Sequence, residues 1–437
     1  MILVAYTTHY REGSDKFARA AETLRCEIGE RAPGATVVLE PLYGKADFVA
    51  ALERIARSGE RIEALHFFGH CGMYGIMFGT RSWPEQFSPH EWRTLRIPFA
   101  PGASAHFHAC RSARWFAPFF ARTFGVRCFG HQGYTTVSTR ADRFGYEGLR
   151  PGRAELYLIS VPGRKTHGLL GALRKYALRP RAVPMRVCEP RPAIGAGYDA
   201  VAADYDRAFS DIRVRRDEWR WVSERLEQSF PANAAPPRVL DIGCGNGALL
   251  EALSERIAAG VGVDASGRMI EHARRRSRGS PKLRFATVTG PQLPFPDRSF
   301  ELVTSFLSFR YLDWDPILRE IRRVLVPGGR LWVVDMVEKP WSVTEARLVA
   351  RSALNHFLGR RYEPRFARDV AALTSAPAWR AMLEHNPIRA EHEYRWYLES
   401  RFPGRRVETL NIGRRARLVA FDSGALEPGV PTPMSYP

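Results

Sequence analysis

The chain has 437 residues, 45% hydrophobic and 25% charged, which is enough for two globular domains and excludes a disordered or fibrous protein. No apolar run approaches the ~18 residues needed to cross a bilayer, so no membrane span is expected. The net charge of +19 raises nucleic acid as a partner, but it is spread as +11 over residues 1–183 and +8 over the rest, and only six of the 65 basic residues are lysine. No compact basic patch interleaved with aromatics appears. This argues against nucleic acid, and an acidic small substrate accounts for the charge equally well.

The opening "MILVAYT" is too short an apolar core for a secretory signal, lacks a basic leader and reads as a first strand. The six cysteines (26, 71, 110, 128, 188 and 244) show no CxxC spacing, which fits a reduced, cytoplasmic setting. Further strands read at "TVVLEPL", "EALHFFGH", "SAHFHAC" and "VRCFGHQ", with helices near 14–31, 45–58, 88–95 and 112–124 between them. Such alternation predicts a mostly parallel sheet with helices on both faces. "AELYLIS" adds a candidate strand and 167–178 a candidate helix.

Two of these strands end on reactive side chains. His70 closes "EALHFFGH" before a glycine-rich turn, "CGMYGIMFG", and Cys110 closes "SAHFHAC" before a predicted helix. In a parallel sheet the carboxyl ends of neighbouring strands share one edge. An imidazole and a thiol placed there, with a helix N-terminus favouring the thiolate, form the pair a cysteine hydrolase needs. The order of strands, histidine turn and "ACR" sequence (Ala109, Cys110, Arg111) resembles the caspase-like peptidase domain of clan CD and its CHAT-related members, over about residues 1–160. That resemblance implies His70 and Cys110 as a catalytic dyad and "GMYGIMFG" as the hairpin after the histidine. The sequence departs from the family pattern at Cys71, which separates His70 from Gly72, and at Ser112, which follows Arg111 in place of glycine. Three other readings stand beside the dyad. His106, His108 and Cys110 alternate on a strand and with His70 form a candidate metal cluster, although no carboxylate or CxxC completes a shell. Cys110 is alternatively a small buried hydrophobe in an inactive accessory domain. Finally, the first domain is a candidate cap for the second domain's pocket.

Four prolines and several arginines in 178–197 predict a semi-extended linker over 181–197 between domains spanning 1–180 and 198–425. The proline-rich end, 426–437, is expected to be a disordered tail. "RVLDIGCGNGALL" (238–250) reads as strand, tight glycine turn and helix start. Gly243, Gly245 and Gly247 let the backbone turn sharply and approach a ligand. The spacing is GxGxG rather than GxGxxG, and Asp241 precedes it, which disfavours a pyrophosphate and suits an ammonium group. Asp264 ends the next strand, "GVGVDAS", where an acidic side chain accepts from two ribose hydroxyls.

With the continuation "LPFPDRSFELVTSFLSFRYLDWDPILREIRRVLVPGGRLWVVD" (293–335), residues 198–335 resemble class I S-adenosylmethionine-dependent methyltransferases, in the small-molecule branch that includes the menaquinone-pathway enzymes. The resemblance implies a Rossmann-like seven-stranded sheet and S-adenosyl-L-methionine as cofactor. Asp241, Gly243 and Gly245 would hold its methionine part, Asp264 the ribose, Met269 would pack on the adenine, and Ser305 would line the floor. Tyr205, in "AVAADYDRAF", would border the cofactor. Thr289 stands where the family commonly has an adenine-binding aspartate. Residues 336–400 lie where the family inserts its substrate cover, and "MLEHNPIRAEHEYRWYLESRF" (382–402) reads as a surface amphipathic helix or as a source of catalytic His385, Arg389, His392, Tyr394 and Trp396.

The expected protein is therefore a two-domain α/β chain, a caspase-like α/β sandwich followed by a methyltransferase domain. It would methylate a small biosynthetic molecule, with no metal and no membrane partner. The alternative is a Cys/His peptidase with a regulatory methyltransferase-like half.

Overall fold

The structure is a computed structural model that describes residues 1–8, 14–72, 75–78, 85–138, 157–160, 182–190, 197–339, 345, 347–350, 352–354, 363–385, 388–413 and 416–426. The chain divides into two compact units, Met1–Ile194 and Gly195–Pro437. No described helix is long and apolar enough to cross a membrane.

The first unit contains β1 (Ile2–Thr7), β2 (Val37–Leu42), β3 (Ile62–Phe68), a small hairpin of β4 (His70–Gly72) and β5 (Gly75–Met77), β6 (Phe99–His108), β7 (Arg127–Gly130), β8 (Thr135–Ser138), β9 (Tyr157–Ser160) and β10 (Arg186–Cys188). Its main sheet runs β10-β7-β6-β3-β1-β2. β2, β1, β3, β6 and β7 are mutually parallel, and β10 pairs antiparallel at the edge. Strand alternation sorts the side chains onto two faces. Leu3, Ala5, Leu65, Phe67, Ala105 and Phe107 enter one core with Phe48, Trp92, Phe116 and Phe120. Val4 and Phe68 lie on the other face under Phe17, Ala20 and Ala21 of the Ser14–Arg31 helix.

Two expectations change here, and a third, the strand in "AELYLIS", is met outside the main sheet. The helix expected over 112–124 spans only Phe116–Phe124, with residues 110–115 in turns. The stretch 181–197 is not wholly linker, because Arg186–Cys188 is a paired edge strand, where the proline-free "MRVC" has free donors. "AELYLIS" contributes β9, which leaves the main sheet and pairs with β8. The candidate helix 167–178 and the tail from 427 onward lie outside the described residues.

The second unit adds β11 (Arg238–Ile242), β12 (Ala259–Asp264), β13 (Leu283–Thr287), β14 (Phe300–Phe306), β15 (Leu325–Glu338), β16 (Glu408–Ile412) and β17 (Ala416–Asp422). They form one seven-stranded sheet in the order β13-β12-β11-β14-β15-β17-β16, with β17 antiparallel to both neighbours. The chain winds outward from β11 through β12 to β13, then returns to β14 on the other side. That reversal opens a crevice at the carboxyl ends of β11 and β14, where ligands bind in such sheets. The surface helix expected over 382–402 is instead divided between the Pro377–His385 and Glu391–Arg401 helices, and the second is not a surface helix. Glu391–Arg401 buries Glu393, Tyr394, Tyr397 and Leu398, and its tyrosines pack on Trp314. Upstream, the Pro364–Ser375 and Pro377–His385 helices join the Ala202–Ala208 helix through Leu373, Val201 and Ala208, with Tyr198, Tyr205 and Trp379 around them.

Candidate functional site

In the first unit, β3 and β6 are neighbours with Phe68 opposite His108, so their ends do bring His70 and Cys110 to one edge. They do not form a hydrogen-bonded dyad. Cys110 Sγ makes its hydrogen bonds to Thr135, 3.1 Å from the hydroxyl oxygen and 3.3 Å from the N–H that donates to it. The His70 ring meets Phe17 edge-on at 5.2 Å. The expected help from a helix N-terminus is also missing, since the next helix begins at Phe116, beyond the first-turn range over which its dipole acts. His70→Ala is therefore expected to leave the rate of Cys110 alkylation unchanged, as read by mass spectrometry with a thiol-reactive probe.

Four other histidines, His66, His106, His108 and His131, cluster on the β3–β6–β7 face. His66 Nδ1 lies 3.1 Å from His108 Nε2, and Ser104 Oγ lies 3.0 Å from His106 Nε2. His106 stacks between His66 and Phe129, each at 4.3 Å, and His108 stacks on Phe68 at 4.2 Å. His131 is buried at 1% exposure with neither ring nitrogen hydrogen-bonded. Desolvation lowers the pKa of His106 and His131 to about 4 and holds His66 and His108 well below the usual imidazole range. Among the described residues no group of three or more His, Cys, Asp or Glu is placed to hold a metal ion.

In the second unit, β11 delivers the chain into a turn that only glycines fit. Gly243 has φ +73° and Gly245 φ +54°. A Cβ on Gly243 would lie 2.3 Å from Ser308 Cβ. The amides of Gly243 and Cys244 both donate to the Val263 carbonyl, at 2.7 and 3.0 Å, tying the turn to β12. The turn borders a cavity of about 410 Å³ whose wall includes Tyr198, Tyr205, Gly243, Gly245, Asp264, Met269, Val288, Leu307, Ser308 and Tyr311. Asp264 stands at its edge and accepts from Gly245 N at 3.0 Å and Ser266 N at 2.8 Å. Those amides fix the carboxylate, while burial raises its pKa.

A glycine turn followed by a wall carboxylate at the end of the adjacent strand is a nucleoside-binding arrangement. A family described as "Methyltransferase domain" matches residues 240–333. The second unit therefore carries a stretch similar to a methyltransferase domain. The demethylmenaquinone methyltransferase of Thermus thermophilus is 38% identical over 153 residues, covering 33% of this chain and 66% of that protein. The 27-O-demethylrifamycin SV methyltransferase of Amycolatopsis mediterranei is 29% identical, covering 44% of this chain and 81% of that protein. A solved S-adenosylmethionine-dependent methyltransferase from Aquifex aeolicus has a TM-score of 0.31 and 17% identity, covering 46% of this chain and 88% of that chain. The chain spans about three fifths of the length of the first curated relatives it matches.

Within the second unit, five of the eight expected cofactor residues line the cavity: Tyr205, Gly243, Gly245, Asp264 and Met269. The other three do not. Asp241 is 2% exposed beneath the turn and accepts from Thr304 Oγ1 at 2.7 Å, because alternation along β11 turns it inward. Ser305 is fully buried and donates to the Ile242 carbonyl at 3.0 Å, so the wall passes to Leu307 and Ser308 after the strand ends. Thr289 is exposed, and Val288 takes the wall position beside it. Sequence reasoning missed Tyr198, Ser308 and Tyr311. Tyr198 shares its helical entrance with Tyr205 seven residues on, and that spacing was the available signal.

Burial pushes the Asp241 carboxyl up to about 7, above its ordinary value near 3.8. The folded domain therefore holds a proton that the unfolded chain has released, so this group's contribution falls as pH rises from about 4 to about 7 and is level above. Asp241→Asn keeps an oxygen for Thr304 and is expected to flatten the thermal midpoint against pH across that window. An unchanged slope would remove the assignment.

Proposed function

We propose that the chain transfers a methyl group from S-adenosylmethionine to a small-molecule acceptor. The observation that carries this is the half-enclosed Asp264 carboxylate facing a cavity walled by the Gly243–Gly245 turn, with Met269 and Val288 supplying apolar surface for an adenine. Two relatives named for demethylmenaquinone and 27-O-demethylrifamycin SV support a small acceptor. In the methyltransferase domain Asp264 would accept from the ribose hydroxyls, and Tyr205 with the turn amides would flank the methionine part. The sulfonium supplies an electrophilic methyl. The protein's task is then to align the acceptor, for which positioning can contribute roughly 7–11 kcal/mol.

Titration calorimetry with S-adenosylmethionine tests the reading. Asp264→Ala is expected to weaken binding by about 10- to 100-fold, the usual range for losing hydrogen bonds to a charged group. Equal affinity in the wild type and the variant would remove it.

We further propose that the first unit is an accessory caspase-like domain. Its parallel β2-β1-β3-β6-β7 order with an antiparallel edge strand, and the hairpin directly after β3, support that ancestry. The bonds from Thr135 to Cys110 favour an accessory role over a working hydrolase.

A further inference from the structure

Among the described residues the cavity wall carries no arginine or lysine, yet a buried cation reaches it through a relay. Arg310 is 6% exposed and pairs with the fully buried Asp335. Asp335 is held from behind by Arg310 N at 2.7 Å and Met336 N at 2.8 Å. The other end of the guanidinium donates from Nη2 to the Tyr311 hydroxyl oxygen at 2.8 Å, and its Cζ lies 4.4 Å from the Tyr311 ring centroid. Tyr198 donates to the same oxygen at 3.2 Å. Tyr198 and Tyr311 both face the cavity, whereas Arg310 and Asp335 are absent from its wall.

Counting donors shows what this arrangement lacks. Tyr311 Oη accepts two hydrogen bonds, which occupy its lone pairs. The two phenols own two hydroxyl hydrogens and share a single phenol–phenol bond. One hydroxyl hydrogen is therefore left with no acceptor among the described residues, at the cavity surface. A donor polarised by a guanidinium suits an anionic oxygen, because charge-assisted bonds are roughly twice as strong as neutral ones. Three carboxylates stand in the wall: Asp264 is held by backbone amides, Asp199 accepts from the Ser266 hydroxyl, and Asp313 sits at the N-terminus of the Trp314–Val324 helix, whose dipole offsets its charge.

Resting on the methyltransferase reading, we propose that the Tyr198–Tyr311 pair, backed by Arg310 and Asp335, is the binding site for an anionic oxygen in the cavity. That oxygen belongs either to the cofactor's own carboxylate or to a phenolate or carboxylate of the methyl acceptor. The chemistry is the same for both, and the experiment separates them.

The probes are S-adenosylhomocysteine, its decarboxylated analogue, 5′-methylthioadenosine and 4-hydroxybenzoate, titrated by calorimetry against the full chain and Tyr311→Phe. If the cofactor supplies the oxygen, Tyr311→Phe weakens S-adenosylhomocysteine about 10-fold or more and leaves the decarboxylated analogue unchanged. If the acceptor supplies it, S-adenosylhomocysteine is unaffected, while 4-hydroxybenzoate binding to its complex weakens about 10-fold. Unchanged 5′-methylthioadenosine affinity reports an intact cavity. If Tyr311→Phe fails to fold, the wild-type chain carries the test instead: equal affinity for S-adenosylhomocysteine and its decarboxylated analogue, with no 4-hydroxybenzoate binding, overturns the proposal. With the cavity intact, no shift for either oxyanion source overturns the proposal. A wild-type chain that binds neither S-adenosylhomocysteine nor 5′-methylthioadenosine would instead sink the methyltransferase reading itself.

Discussion

Acidification from pH 7 to pH 4 is expected to destabilise the first unit by several kcal/mol while leaving the second unit's glycine turn protected. The cause is the imidazole cluster on the β3–β6–β7 face. Desolvation holds His106 and His131 at about 4, against about 6.5 in an unfolded chain. The folded pKa is depressed, so the unfolded chain takes up these protons first as pH falls. Stability is complete above about pH 6.5 and is lost progressively down to about pH 4. Each residue contributes roughly 3 kcal/mol over that window, and the two together about 6 kcal/mol, before His66 and His108 add in the same direction. Asp241 in the second unit titrates with the opposite sign, because its folded pKa is raised. Hydrogen exchange on the full chain, corrected for the intrinsic pH dependence, reads both in one experiment. Peptides covering β3 and β6 should lose protection between pH 6.5 and 4, and those covering β11 should not. His131→Phe removes a ring whose nitrogens have no partner, and should cut the acid-dependent loss by about 3 kcal/mol. An unchanged slope in that variant would show that the histidine cluster is not the acid-sensitive element.

The sequence announced the elements well where one period dominated. The alternating runs around Leu3, Leu65 and Phe107 are strands of the main sheet, and "RVLDIGCGNG" is the strand and turn it resembles. Legibility failed where a side chain's direction decided the matter. Asp241 and Ser305 lie next to the cavity in sequence, yet strand geometry turns both inward, so the family motif named the neighbourhood and not the wall. Tyr311 was illegible for a related reason. Its role comes from Arg310 and from Tyr198, which is 113 positions away, and no local pattern links these residues. The Cys110 environment turned on one residue as well. Thr135 approaches from β8, and nothing around "HACRS" announces that contact.

Gly243→Ala is expected to abolish measurable S-adenosylmethionine binding and to lower stability by about 2–5 kcal/mol. Two separable costs add. At φ +73° an alanine is in the left-handed region, which costs a non-glycine residue roughly 1–2 kcal/mol. Its Cβ would also sit 2.3 Å from Ser308 Cβ and 2.5 Å from Ser308 Oγ. Overpacking of this kind costs typically about 1–3 kcal/mol. Ser308 cannot simply swing aside, because its hydroxyl donates to the Ile242 carbonyl at 2.7 Å and lies 2.7 Å from Ser305 Oγ. Any relief must move the Leu307–Ser308 segment or the turn itself, and both are cavity wall. The two costs can be measured apart. Ser308→Gly in the Gly243→Ala background removes the colliding atoms and leaves the backbone strain. The double variant should regain the steric share, about 1–3 kcal/mol in denaturant melts, and part of the calorimetric affinity. Strict additivity of the two single variants would mean that Ser308 does not set the shape of the turn. Recovery in the double variant would show that the glycine is required there by the side chain opposite as well as by its own dihedral angle.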